Sequence, residues 1–371
     1  MAKTIEQLVA GLAGSYEVGE VCRLLDAHLA GGDTAYLAEF GAALNARFGS
    51  GRAGAEHRYL FDRILWDVVT RPGRVHVERA LGLGLATRSR SGRPVRRAAA
   101  VLAEHQRPSA LAGVFEAAPD DATAPEELRA CLLHELVLRG APVAKLPEAR
   151  AWAEASPYWA EHPLAWLPWA LDPLEGTPGL PHYWRGGVSY GRPYGLPKGA
   201  PLGGRAGVPV EVGEEEPGLT AAVERWARRH NGRVEAAVFD ADGPVAPEAL
   251  PGTLAALPLD CVEDPVVVPT TAAEAWRQLF GAASTGGGGE AGWWYGAYGR
   301  LAAWRSLAAL AGAGPDASAA EVARRAADCA WYGFTAGGEW FNGDDMDLGF
   351  AVLDAGRRRL AVLAATDYDG G

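Results

Sequence analysis

Leu348-Gly349-Phe350-Ala351-Val352-Leu353 and Leu360-Ala361-Val362-Leu363-Ala364-Ala365 are two apolar runs of six residues, with Ala355-Gly356-Arg357 between them. Runs this short, split by a turn signal, read as the two arms of a β-hairpin. Working back along the chain, Val234-Glu235-Ala236-Ala237-Val238-Phe239 reads as a strand, and Val266-Val267-Val268 as another. Helices interrupt them. Leu219 to His230 ends at Asn231-Gly232, a left-handed stop. Thr271 and Glu274 frame a capping box for a helix through Phe280, and Ser318 and Glu321 frame one for a helix through about Tyr332. The expectation is an α+β region, 218–371, with helices on a small, mainly antiparallel sheet.

The first 155 residues carry a different period. Val18, Val21, Cys22, Leu25 and Leu29 share one helical stripe, as do Tyr36, Leu37, Phe40 and Leu44. Further helical segments follow near 59–69, 75–86, 94–106 and 125–140, the last behind a capping-box spacing from Thr123 to Glu126. This predicts an all-helical domain, either a bundle or a short solenoid. Residues 156–217 form a proline-rich connection between the two. Seven tryptophans and tyrosines lie between Trp159 and Tyr194, so 156–200 reads as packed and only 198–217 as a loose joint.

The whole chain has 371 residues, 49% hydrophobic and 22% charged, which excludes wholesale disorder. Its four cysteines are far apart and form no CxxC pair, excluding a zinc ribbon or a disulfide framework. No apolar run reaches the ~20 residues that span a bilayer, and the start carries no export signal. A soluble, cytoplasmic protein is expected. The net charge is −11, and residues 171–371 hold 26 acidic against 16 basic side chains, −10 of that total. Such a field repels phosphate backbones. Arg71 to Arg107 is the local exception, with nine arginines against Glu78 and Glu104. Arg88, Arg90, Arg93, Arg96 and Arg97 could there meet phosphates, although no aromatics interleave to stack bases.

All eight histidines precede Asn231. The last 141 residues therefore hold no Ser-His-Asp or Cys-His set of their own. Carboxylates remain. Ala236-Ala237-Val238-Phe239-Asp240-Ala241-Asp242-Gly243, with Gly343-Asp344-Asp345 later, resembles the first and last motifs of the haloacid-dehalogenase phosphatases. That resemblance implies a nucleophile at Asp240, a general acid/base at Asp242, and Mg²⁺ held by Asp344 and Asp345. Pro244 stands where a threonine is usual, and no lysine follows Lys198 to fill the superfamily's lysine role.

Aromatic residues are the other resource. Trp184, Arg185, Tyr190 and Arg192, with Trp293, Trp294, Tyr295 and Trp340, are candidates for a surface that anchors a partner. Glu339-Trp340-Phe341, Leu348 to Val352 and Leu360 to Asp367 together resemble the closing segment of a bacterial family of unknown function, marked by its LAVLAATD strand. The resemblance implies a helical front, a polar middle and this terminal hairpin, and it implies no chemistry. The reading is a non-catalytic protein that binds a protein partner, in an immunity-type or regulatory role, without a cofactor. The Mg²⁺-dependent phosphatase is the alternative, and nucleic-acid binding through 88–97 is third.

Overall fold

The computed structural model describes residues 3–12, 15–48, 55–83, 93–116, 125–184, 187–189, 199–226, 232–286, 295–341 and 346–367. The chain divides into two units, 1–165 with 182–189, and 166–181 with 190–371.

Unit 1 is helical: α1 Ile5–Ala10, α2 Ser15–Ala30, α3 Thr34–Phe48, α4 Ala55–Val69, α5 Arg74–Leu81, α6 Arg93–His105, α7 Pro108–Glu116, α8 Glu126–Leu138, α9 Pro147–Ala155 and α10 Pro157–Ala160. The α8 helix is its axis, buried at every position from Leu128 to Leu138. Each large apolar side chain enclosed this way contributes roughly 1.5–3 kcal/mol. Polar groups carried inward with it are all bonded. Arg129 donates to the Val114 carbonyl at the end of α7 (3.0 Å) and to Glu126. His134, stacked on Trp159, meets the Leu164 carbonyl at 2.9 Å. A small hairpin completes the unit, with β1 His182–Trp184 antiparallel to β2 Gly187–Ser189.

Unit 2 is built on a six-stranded sheet: β3 Val210–Val212, β4 Arg233–Ala241, β5 Val266–Thr270, β6 Ala330–Thr335, β7 Asp347–Leu353 and β8 Arg359–Thr366. The order is β3-β4-β8-β7-β6-β5, and every neighbouring pair is antiparallel. Among the described residues four α-helices accompany it, α11 Leu250–Ala255, α12 Ala272–Thr285, α13 Tyr295–Leu310 and α14 Ala319–Asp328. Phe239, Tyr332, Phe334, Leu353, Leu360 and Val362 form a core on one face with Leu250, Leu254 and Leu257. Near the opposite face, Arg359 donates to the Ala309 and Leu310 carbonyls (2.8 Å each), placing a cation on the negative end of α13. The fold class is therefore α+β, with the expected closing hairpin as β7–β8.

Three local expectations fail. The helix read through Tyr332 stops at Asp328, and Ala330–Thr335 is a strand between β5 and β7. The Trp331 indole N–H donates to the Ala326 carbonyl (2.7 Å), so the side chain that fitted the helix stripe closes the helix end instead. The helix read at 219–230 is a 3-10 turn, Pro217–Thr220, followed by turns through Trp226. Ser306 causes this. Its hydroxyl accepts the Ala222 N–H (2.9 Å) that an α-helix would give to Gly218, and donates to the Leu219 carbonyl (2.9 Å). Residues 199–216, read as part of a loose joint, are bonded along unit 2: Leu202 N–H to the Val267 carbonyl, Arg205 N–H to the Glu248 carbonyl, and Val208 N–H to Thr253 Oγ1. They supply β3.

Candidate recognition surface

Among the described residues the β3 strand lies at the margin of the sheet, paired with β4 alone. Its register sets Val210 opposite Ala241, Glu211 opposite Asp240 and Val212 opposite Phe239. Gly213 N–H donates to the Val238 carbonyl (2.8 Å), and Asp242 N–H to the Pro209 carbonyl (3.2 Å). In an antiparallel ladder the bonded pairs alternate, so Glu211–Asp240 is the bonded pair between these two. Val210 and Val212 consequently turn their N–H and C=O groups away from β4, toward the open side.

The side chains divide by face. Val210 packs against the core cluster, whereas Val212, next to Phe239, is 70% exposed. On the other face Glu211 and Asp240 stand directly opposite each other, both exposed. Like charges across a ladder repel. The nearest cation by register is Arg359 opposite Asp240, but its guanidinium is spent on the α13 carbonyls. Glu214, Glu215 and Asp242 are also exposed. Among the described residues, these five carboxylates have no ion-pair partner. The margin is an apolar edge strand inside an uncompensated acidic rim.

The aromatic candidates fare differently. Tyr295 is 1% exposed, a core residue at the start of α13, and Trp340 is buried with its indole N–H toward Glu235 (3.3 Å). Neither is surface. Their burial follows from area: a ring excluded by a sheet and its covering helices recovers more than one left in water. Trp184, at the end of β1, is half exposed. Its carbonyl meets Arg97 Nη2 at 3.5 Å, which joins two segments read separately from sequence. Arg185, Tyr190, Arg192, Trp293, Trp294, Asp344 and Asp345 lie outside the described residues, as do Arg88 and Arg90.

Arg96 and Arg97 of α6 are committed inward. Arg97 is buried beside Asp62 (3.5 Å), and Arg96 reaches Glu127 (3.4 Å). Glu127 also accepts from Tyr158 Oη (2.8 Å), Cys131 Sγ (3.7 Å) and His162 Nε2 (3.1 Å). The Leu164 N–H approaches His162 Nδ1 (3.3 Å), which fixes the proton on Nε2. Burial, then the bond to Glu127, pushes the Tyr158 phenol well up. Burial likewise raises the Cys131 thiol. A carboxylate saturated by four donors is a structural hub, with no lone pair left for proton transfer.

Asp240 and Asp242 are placed as the phosphatase motif would have them locally, at the end of a strand. The surroundings differ. Asp240 pairs with Arg359 at the start of β8, and Asp347, at the head of β7, pairs with Thr366 at its end. Seven residues of strand separate the two levels, about 23 Å at ~3.3 Å per residue. Among the described residues no group of three His, Cys, Asp or Glu side chains could hold a metal.

With its helical front, this sheet and its closing hairpin, the chain is an α+β protein of two units. It belongs to a family of unknown function (DUF6183), which it matches over residues 19–369. No curated protein and no solved structure matches it. No helix among the described residues is long and apolar enough to cross a membrane.

Proposed function

We propose that this protein is a non-catalytic, cytoplasmic protein-binding protein, and that its partner docks on the acidic margin of β3. The observation that carries the reading is the set Glu211, Glu214, Glu215, Asp240 and Asp242, exposed around an exposed valine and, among the described residues, in no ion pair, with Arg358 Nη1 reaching only the Asp242 backbone carbonyl (3.2 Å). Maintaining like charges side by side costs stability, and a basic partner surface would remove that cost. The cytoplasmic part draws support from four free cysteines, two of them fully enclosed. The two other readings find less support. Phosphate contacts would need the Arg96 and Arg97 forks that Glu127 and Asp62 occupy, and the Mg²⁺ reading rests on Asp344 and Asp345, which lie outside the described residues.

The test is affinity capture from the native cytosol with the wild type and with Glu211, Glu214 and Glu215 all changed to lysine. A stoichiometric protein held by the wild type and lost from the reversed surface is expected. Equal capture by both, or none by either, contradicts the reading.

A further inference from the structure

We propose that β3 is a strand-addition site, and that the partner presents an extended segment alternating apolar and basic residues. The inference rests on the acidic margin being the contact surface, and it specifies what is bound there and how. Two rows of the sheet lead to it. The first runs from Ala330 through Leu353, Leu360 and Phe239 to Val212, each opposite the next. It is apolar throughout and stops at a side chain 70% exposed. A further strand would extend it with an apolar residue beside Val212. The neighbouring row runs outward from Arg359 to Asp240 and Glu211. It ends in two carboxylates, and the cation of the row, Arg359, faces α13. A lysine or arginine beside Glu211 would neutralise it. Because strand side chains alternate faces, the two demands fall on successive residues of one added strand.

The backbone supplies the affinity. Val210 and Val212 offer outward N–H and C=O groups, the pattern that strand-adding peptides use. The site is bounded on one side by Val208, whose N–H is taken by Thr253 Oγ1 (3.0 Å), so the paired segment is short, about five residues. Edge strands are commonly guarded by charge against indiscriminate pairing. Here the guard has one sign, so it repels acidic segments, gives neutral ones no attraction and favours a basic one.

Fluorescence anisotropy with the full chain tests this, using a labelled ten-residue peptide of alternating valine and lysine. Peptides of alternating valine and glutamate, and of valine and serine, are the controls. The lysine peptide is expected to bind at least tenfold tighter than either and to weaken as salt rises. Val212→Pro removes one outward N–H that the fold does not use, a change edge strands accept. It should weaken binding tenfold or more while the thermal midpoint holds. The same lysine peptide N-methylated on alternate residues leaves the protein untouched and should also lose binding. Glu211→Lys should reverse the preference toward the glutamate peptide. If Glu211→Lys weakens binding but Val212→Pro and N-methylation do not, the acidic surface stands and strand addition falls. If the lysine peptide does not outbind the controls, or no variant alters binding, both fall.

Discussion

At the scale of single residues, the most consequential contacts are ones that no spacing announces. Glu175 and Arg300, 3% and 0% exposed, form a two-pronged pair (2.6 and 2.7 Å). The remaining valences are filled by the Trp304 indole, the Asp172 N–H and the Pro168 and Ala170 carbonyls. Such a pair adds little over apolar packing, but stranding one member is costly. Glu175→Ala should lower stability by about 3–5 kcal/mol in urea unfolding. A loss under 1 kcal/mol would show the guanidinium finds water instead. The thiols give a second residue-scale prediction. Burial, then Asp354, pushes Cys329 up to about 11. Burial raises Cys261 further still, followed by its contact with Glu235. Iodoacetamide at pH 8 should therefore leave Cys131, Cys261 and Cys329 unmodified in the native protein, and label them only after denaturant. Rapid native labelling of Cys261 by peptide mapping would contradict this.

At the scale of elements, caps and glycines set where the strands and helices end. Glu321 accepts from the Ser318 backbone N–H (2.8 Å) and hydroxyl (2.7 Å), closing the capping box of α14. The backbone bond, then the hydroxyl, holds its carboxyl below the ordinary 4.5. A lowered folded-state value gives stability that is complete above the unfolded value and is lost as pH falls through the folded one. Glu321→Gln should thus flatten the fall in thermal midpoint below about pH 4.5 and change it little at pH 7. In β7, a Cβ at Gly349 would sit 2.2 Å from the Phe334 carbonyl oxygen. Gly349→Ala should cost about 2–4 kcal/mol by urea unfolding, the range of a core steric clash. The hairpin, the β4 strand and the α14 capping box were readable because each rests on local chemistry; at α12 the expected box is only half formed, since Thr271 accepts the Glu274 N–H but the Glu274 carboxylate turns to Arg277 and Gln278. The α14–β6 boundary was not, since Trp331 and Tyr332 satisfy a helix stripe as well as a strand. Nor was β3. Its signal is the alternation Val208, Val210, Val212, masked by Pro209 and the surrounding glycines, and it becomes a strand only because β4 offers a ladder.

At the scale of the whole molecule, charge and topology meet at one place. The −10 of residues 171–371 is a sequence fact, but spread evenly it would mean only solubility. Sheet order concentrates part of it: β3 lies at one margin, and Glu211 is set against Asp240 by the register of a strand about thirty residues later. Of the aromatic candidates in unit 2, Tyr295 and Trp340 serve the core, whereas the acidic edge is exposed with unmet backbone valences among the described residues. Amide hydrogen exchange at Val210 and Val212, read by NMR with and without the alternating valine–lysine peptide, measures those valences directly. Strand addition predicts that both amides exchange fast in the free protein and slow at least tenfold with peptide bound, while Glu211, already paired to Asp240, changes little. Unchanged exchange at Val210 and Val212 under saturating peptide would contradict the account.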